Sequence, residues 1–187
     1  MNNYICTWAQ DASELMQTYH ATEWGRVAHD DRYLFEMLSL EGFQAGLSWN
    51  TIINKRAALK QAFHNFEVHV VAAMPLTEID AMMENPAILR HRGKLEATIS
   101  NAQAFAEVQI EFGSFDEYIW KFVNNRQIND HIRIPDEIHA KTPLSEMISA
   151  DLKKRGFKFV GPVTTYAFMQ AVGLINDHEI DCVNNPG

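Results

Sequence analysis

No stretch of the 187-residue chain alternates convincingly between apolar and polar residues, while apolar positions recur at three- and four-residue spacing in block after block. Alternation is what a half-buried strand needs, and three-to-four spacing is what a helix buries along one side. The chain is thereby confined to the all-α class. "RYLFEMLSLEGFQAGLSW" sets Leu34, Phe35, Leu38, Phe43 and Leu47 near helical spacing, and "TIINKRAALKQAF" turns Ile52, Ile53, Ala57 and Leu59 inward. Start signals stand before the blocks: Asp11 ahead of Glu14, Thr77 ahead of Asp80, Ser114 ahead of Glu117, and Thr142 followed by Pro143. Each offers a short polar side chain to free helix N–H groups. Gly113 and Gly156 mark stops. "TTYAFMQAVGLI" predicts a buried helix, and residues 127–135, "QINDHIRIP", read better as a loop than as a short extended piece. We expect one all-α domain over residues 1–187, with room for two lobes and with the two ends packed together.

A chain that is 47% hydrophobic can build a core without staples. No apolar run approaches the roughly 20 residues of a bilayer span. "MNNYICTWAQDASELM" has neither the basic nor the apolar region of a signal peptide. Two cysteines suit a reducing compartment. The expectation is a cytoplasmic monomer with no membrane partner. A net charge of -8 argues against indiscriminate nucleic-acid binding. Two acid-free basic segments stand out against it: "RHRGK" (residues 90–94, with Arg90, Arg92, Gly93 and Lys94) and "KKRGFK" (residues 153–158, ending at Lys158). Any nucleic-acid contact is expected there. "ENPAILRHRGK" also suits a turn whose N–H groups and following helix N-terminus hold a phosphate, or simply a solvated basic turn.

Each cysteine lies at one end of the chain with a histidine near it. Cys6 precedes His20, and His178 precedes Cys182. Residues 178 and 182 share one face if helical. Two thiolates and two imidazoles form a tetrahedral set suited to structural zinc, with no position left for water. Such an ion would tether ends that otherwise fray. The alternative, two core cysteines and two incidental histidines, is left open by spacing alone.

"YHATEWG" and "LEGFQAGLSW" are chemically dense. Glu41 sits among Leu38, Leu40, Phe43 and Leu47, where an unpaired carboxylate is costly. Trp8, Tyr19, Trp24 and Trp49 crowd the first fifty residues. Aromatic faces beside a buried acid suit a flat, cationic, nitrogen-rich ligand. The competing reading makes the aromatics core and Glu41 a surface residue. Glu23 and Glu36 read as exposed acids without a special task.

"YHATEWG", "LFEMLSLEGFQAGLSW", "RHRGKLEATISNA" and "KKRGFKFVGPVTTYAFMQAVGLINDH" together closely resemble the bacterial family of DNA-3-methyladenine glycosylase I, over about residues 6–182. The resemblance implies a helix-hairpin-helix glycosylase fold and a structural zinc held by Cys6, His20, His178 and Cys182. It implies that Glu41 hydrogen-bonds the excised base and Trp49 stacks on it. Tyr19 would line the pocket with Trp8 and Trp24 nearby. "RHRGK" would belong to the hairpin that grips alkylated double-stranded DNA. Asn85, Pro86 and Ala87 stand where glycine is more usual in the family. The implied activity is hydrolytic excision of 3-methyladenine without strand cleavage. Asp116 lies downstream of the hairpin, but it sits in a capping pattern and is not assigned a catalytic role. A catalytic zinc hydrolase is disfavoured by four protein ligands and no H-E-x-x-H. A non-enzymatic sensor of alkylated bases would use the same pocket.

Overall fold

The computed structural model describes residues 3–185. Ten α-helices are formed among them: α1 (Thr7–Gln10), α2 (Glu14–Thr22), α3 (Asp31–Gln44), α4 (Trp49–Ala62), α5 (Val68–Ala72), α6 (Leu76–Glu84), α7 (Arg92–Phe112), α8 (Phe115–Trp120), α9 (Pro143–Lys154) and α10 (Pro162–Ala171). Residues 127–135 are not wholly a loop. Ile128–Asn129 (β1) pairs in parallel with Ile175–Asn176 (β2), a two-residue ladder too short to leave a periodic signature. None of the described helices is long and apolar enough to cross a membrane.

The core is one cluster of buried residues running from Cys6 to Cys182. The axis of the packing is α3, which contacts α4, α7, α8 and α10. Every residue from Leu34 to Glu41 is buried. Burial on all sides explains why the periodic pattern of this segment was broad, and why its polar residues need partners. Ser39 finds one in its own helix, donating to the Phe35 carbonyl at 2.8 Å. Glu36, fully buried, is held by Arg56 at 2.7 Å, Arg32 at 2.9 Å and Lys60 at 3.3 Å. Glu23 joins the same network through Arg56 at 2.8 Å and the Tyr33 hydroxyl at 2.9 Å. The expectation that Glu23 and Glu36 are idle exposed acids is therefore wrong. Their partners lie across α3 and α4, beyond the reach of local pattern.

Burial alone would raise the Glu36 carboxyl, but the Arg56 charge and the bonds from Arg56 and Arg32 outweigh it and hold the group below its ordinary value. Its contribution to stability is thus complete above the unfolded-state value and is lost as pH falls through the lower folded-state value. Glu36→Ala would leave clustered cations without their acid. The expected loss is about 3–5 kcal/mol, as for breaking a buried pair from one side. Urea unfolding at neutral pH reads it, and a loss of about 1 kcal/mol or less, as for a surface pair, would show the network to be ornamental.

Caps confirm some boundaries and move others. Ser114 accepts from the Glu117 N–H, Thr142 and Ser145 form a reciprocal box around Pro143, and Gly113 ends α7 at φ 93°. Ser13 rather than Asp11 precedes α2, and Pro75 rather than a threonine precedes α6, with no side-chain cap at either. The α3 periodicity does not continue to Leu47. Gly46, at φ 83°, turns the chain in the left-handed region. Ser48 then caps α4 by accepting from Thr51 N–H, so Leu47 is exposed in the connection. Ala57 faces solvent.

Candidate functional site

Three helices each contribute a pair of residues three apart to one cavity of about 170 Å³: Met16 and Tyr19 from α2, Glu41 and Gln44 from α3, and Ala167 and Gln170 from α10. Trp8 from α1, Trp24 after α2 and Trp49 at the start of α4 complete the wall. All five residues expected at the pocket, Glu41, Trp8, Tyr19, Trp24 and Trp49, are therefore brought together. Met16, Gln44, Ala167 and Gln170 were missed. Gln170 had a signal in the sequence, as the only amide within a mostly apolar helix.

The tilted rings of Tyr19 and Trp49 have centroids 5.1 Å apart, and Trp8 meets Trp24 edge to face at 5.1 Å. Among these residues, Glu41 Oε2, Trp8 Nε1 and Trp49 Nε1 are buried and have no hydrogen-bond partner. One acceptor and two donors left unpaired around one cavity ask for a ligand with polar edges. Burial, with nothing to offset it, pushes the Glu41 carboxyl up to about 8. Burial first, and then the Glu41 charge, push the Tyr19 phenol above its ordinary value, so it keeps its proton.

Behind this wall lies the four-residue cluster. Ligand atoms of Cys6, His20, His178 and Cys182 all lie within 4.8 Å of one another, and all four residues are buried. The expected helical spacing of His178 and Cys182 is not how they meet, since both follow β2 outside any helix. His178 Nδ1 lies 2.7 Å from Asn176 Oδ1. That bond requires the proton on Nδ1, leaving the lone pair of Nε2 free, and Nε2 is a buried nitrogen without a partner. Burial pushes the His178 imidazole down to about 4, the neutral and ligating form. Cys6 Sγ accepts from Glu179 N–H at 3.4 Å and Cys182 Sγ from Asn184 N–H at 3.5 Å, contacts that suit thiolates. The donor chemistry fits a divalent metal of the zinc kind.

The cluster and the cavity share walls. Trp8 stands 5.1 Å from the His20 ring and Trp24 stands 4.7 Å from that of His178. Gly25 permits this packing. It lies at φ 70°, and a Cβ there would come within 2.7 Å of the His178 ring. The chain ends are tied further by Glu179, which accepts from Thr7 N–H at 2.6 Å and from the Tyr4 hydroxyl.

The basic segments are placed unevenly. Arg90 and Lys158 are exposed. Asn101 clamps the backbone of Lys158 to α7, donating to its carbonyl at 3.0 Å and accepting from its N–H at 2.8 Å. The ring of Phe159 next to it stands 6.3 Å from that of His91, so the two segments adjoin. Arg92 is engaged by Asp80 at 2.6 Å and Glu96 at 3.5 Å, and Gly93 lies exposed in the first turn of α7. Lys94 is turned inward. Its ammonium donates to the carbonyls of Phe43 at 2.8 Å and Ala45 at 2.6 Å, closing the C-terminal end of α3 just past Glu41. A cationic side chain there opposes the negative end of the helix. The pattern of charges in "RHRGK" could not reveal this, because its partners lie about fifty residues earlier. The turn before α7 is built without glycine: Asn85 Oδ1 accepts from Ala87 N–H at 2.9 Å, and Lys55 donates to the carbonyls of Pro86 and Ala87 at 3.3 and 3.1 Å. Asp116 is absent from the cavity wall and lies 2.7 Å from His29 Nδ1.

Fold and cavity together define an α-helical protein whose aromatic-walled cavity suits one flat, polar-edged group. The methyladenine glycosylase family model matches residues 8–185, and the chain belongs to that family. It is 43% identical over 177 residues to the DNA-3-methyladenine glycosylase of Haemophilus influenzae, covering 95% of each chain. The solved structure of a 3-methyladenine DNA glycosylase I (TAG) matches with a TM-score of 0.94 at 42% identity, covering 98% of this chain and 100% of the other. A structure of the Staphylococcus aureus 3-methyladenine DNA glycosylase I (TAG), described for its 3-methyladenine recognition, matches with a TM-score of 0.94 at 35% identity, covering 100% and 99%.

Proposed function

We propose that this protein excises 3-methyladenine from alkylated double-stranded DNA by hydrolysis of the N-glycosidic bond, leaving an abasic site. The observation that carries the reading is Glu41, a buried acceptor without a partner in a cavity walled by Trp8, Tyr19, Trp24 and Trp49. The family relationship supports the same substrate. A cavity of about 170 Å³ holds a base and not a paired nucleotide, so the target must leave the stack. Methylation at N3 makes adenine a cation. Trp49 and Tyr19 offer ring faces to that cation. Glu41, once ionised, accepts from its N–H edge and opposes its charge. Water attacks the sugar carbon, and the glycosidic electron pair leaves with the base and neutralises it. Among the described residues no lysine lines the cavity, and Lys94 is spent on α3 carbonyls. This supports a monofunctional enzyme, since a lyase needs an amine at the sugar.

Cys6, His20, His178 and Cys182 would hold zinc with four protein ligands, so the ion would supply tethering and no chemistry. The turn between α6 and α7 would serve as the DNA-gripping hairpin, with Arg90, Gly93 and Lys158 facing phosphates. Arg92 would join them only by leaving Asp80. The decisive assay is chromatography of free bases released from methylated duplex DNA. Release of 3-methyladenine with 7-methylguanine retained is expected. Tight binding of that DNA with no base released would overturn the enzyme in favour of a sensor.

A further inference from the structure

Gln170 is the polar residue that α10 places in the cavity wall. Its amide nitrogen donates to Asp177 Oδ2 at 2.7 Å, and the Tyr166 hydroxyl donates to the same oxygen at 2.8 Å. Asp177 Oδ2 is thus the acceptor of both bonds. Turning the Gln170 amide over would break its bond and set oxygen against oxygen, so Asp177 dictates which end of the amide faces it. The backbone is fixed as well: the Gln170 carbonyl accepts from Gly25 N–H at 2.9 Å. Gly173, at φ 73°, then lets the chain pass so close to Arg26 that a Cβ would meet its backbone at 2.4 Å. The free end of the side chain, Oε1, has no hydrogen-bond partner among the described residues and is not sealed in the core.

Resting on the reading of the cavity as a base pocket, we infer that Gln170 is a specificity-determining residue and Asp177 its positioning residue. Gln170 Oε1 faces the bound base as a neutral acceptor beside the Glu41 carboxylate. A base with an exocyclic amino group at that edge gives the acceptor a hydrogen. A base with a carbonyl there sets one acceptor against another and leaves both unpaired. A site built to bond a donor rejects an analogue lacking it far more strongly than an apolar wall can. Adenine-type and guanine-type lesions carrying the same N3-methyl group differ in this respect at the purine 6-position, so the charge of the lesion alone would not separate them.

The experiment compares wild type, Gln170→Met and Asp177→Asn on methylated duplex DNA under single-turnover conditions, following release of 3-methyladenine and 3-methylguanine together. Affinity for free 3-methyladenine is read in parallel from tryptophan fluorescence. Gln170→Met keeps the length of the side chain and removes both its acceptor and its donor to Asp177. It is expected to lower 3-methyladenine release and affinity roughly tenfold and to shrink the 3-methyladenine to 3-methylguanine ratio by a similar factor, with a melting temperature lower by a few degrees for the lost bond to Asp177. Asp177→Asn lets the Gln170 amide adopt either orientation and should shrink the ratio in the same direction. A merely structural role for Asp177 would slow both releases equally. An unchanged ratio and affinity in Gln170→Met overturns the inference while leaving the glycosylase reading intact. Wild-type protein that binds 3-methyladenine but releases none sinks the enzymatic reading alone, and the Gln170→Met affinity then still decides this one. Wild type that neither binds nor releases the base overturns both.

Discussion

Glu41→Gln is expected to lower 3-methyladenine release by two to three orders of magnitude, the usual cost of removing one preorganised electrostatic partner, while making the free protein more stable at alkaline pH. The two effects share one cause. Glu41 is buried without a partner, and its carboxyl is pushed up to about 8. Between about 4.5 and about 8 the folded protein keeps a proton that the unfolded chain has lost. Stability therefore falls as pH rises across that window. The accumulated penalty is on the order of 5 kcal/mol at the alkaline end. Glutamine has no charge to bury, so the variant should not show that decline. A cationic base reverses the balance, because it needs the acid ionised. The pH profile of kcat/KM for wild type should climb with pH and level off above about 8, and the profile of Glu41→Gln should be flat there. Thermal melts from pH 5 to 9 and base release over the same range test both halves. A wild-type rate that ignores pH, or a variant no more stable at pH 9, would show that Glu41 is paired in solution by something other than the ligand.

Removing the metal from the proposed zinc site, by a strong chelator or by His178→Ala, is expected to lower stability by several kcal/mol and the melting temperature by roughly 10 °C or more. Base binding should go with it. The reason is the shared wall: Trp8 and Trp24 stand between the His20 and His178 rings and the cavity. Without the ion, the four side chains are held within 4.8 Å of one another only by hydrogen bonds such as Glu179 N–H to Cys6 Sγ at 3.4 Å, mostly weak ones to sulfur. Calorimetry with and without chelator, alongside metal analysis, measures the effect. A chelated protein with its melting temperature intact and its activity gone would instead make the metal catalytic. Unchanged stability and activity would leave the cluster as a packing feature.

Much of the pocket was legible because its residues break local rules. Glu41 stands in an apolar run, and three of the four tryptophans fall in the first fifty residues. Cys6 and Cys182 were conspicuous by rarity, with a histidine near each. Other residues obey a local rule that misleads. Glu36 has the surroundings of a surface acid but is fully buried under Arg56, Arg32 and Lys60. Lys94 belongs to a basic run but faces the end of α3. Leu47 keeps step with α3 yet lies beyond the turn at Gly46.

Local pattern alone was enough to show that the chain is helical, where α7 and α9 stop, which residues to look for at the cavity and at the four-residue cluster, and the family they belong to. Periodicity, caps and rare residue types are properties of neighbours in the chain, and they survive without the fold. Which polar groups are satisfied depends on packing between helices. Ser39, Glu36 and Glu41 are buried together on α3, and their roles differ by what packs opposite. Ser39 bonds its own helix, Glu36 meets cations of α3 and α4, and Glu41 meets only aromatic walls and a cavity. A carboxylate costs little when paired and much when not, and pairing is set by contacts between helices that no local pattern records.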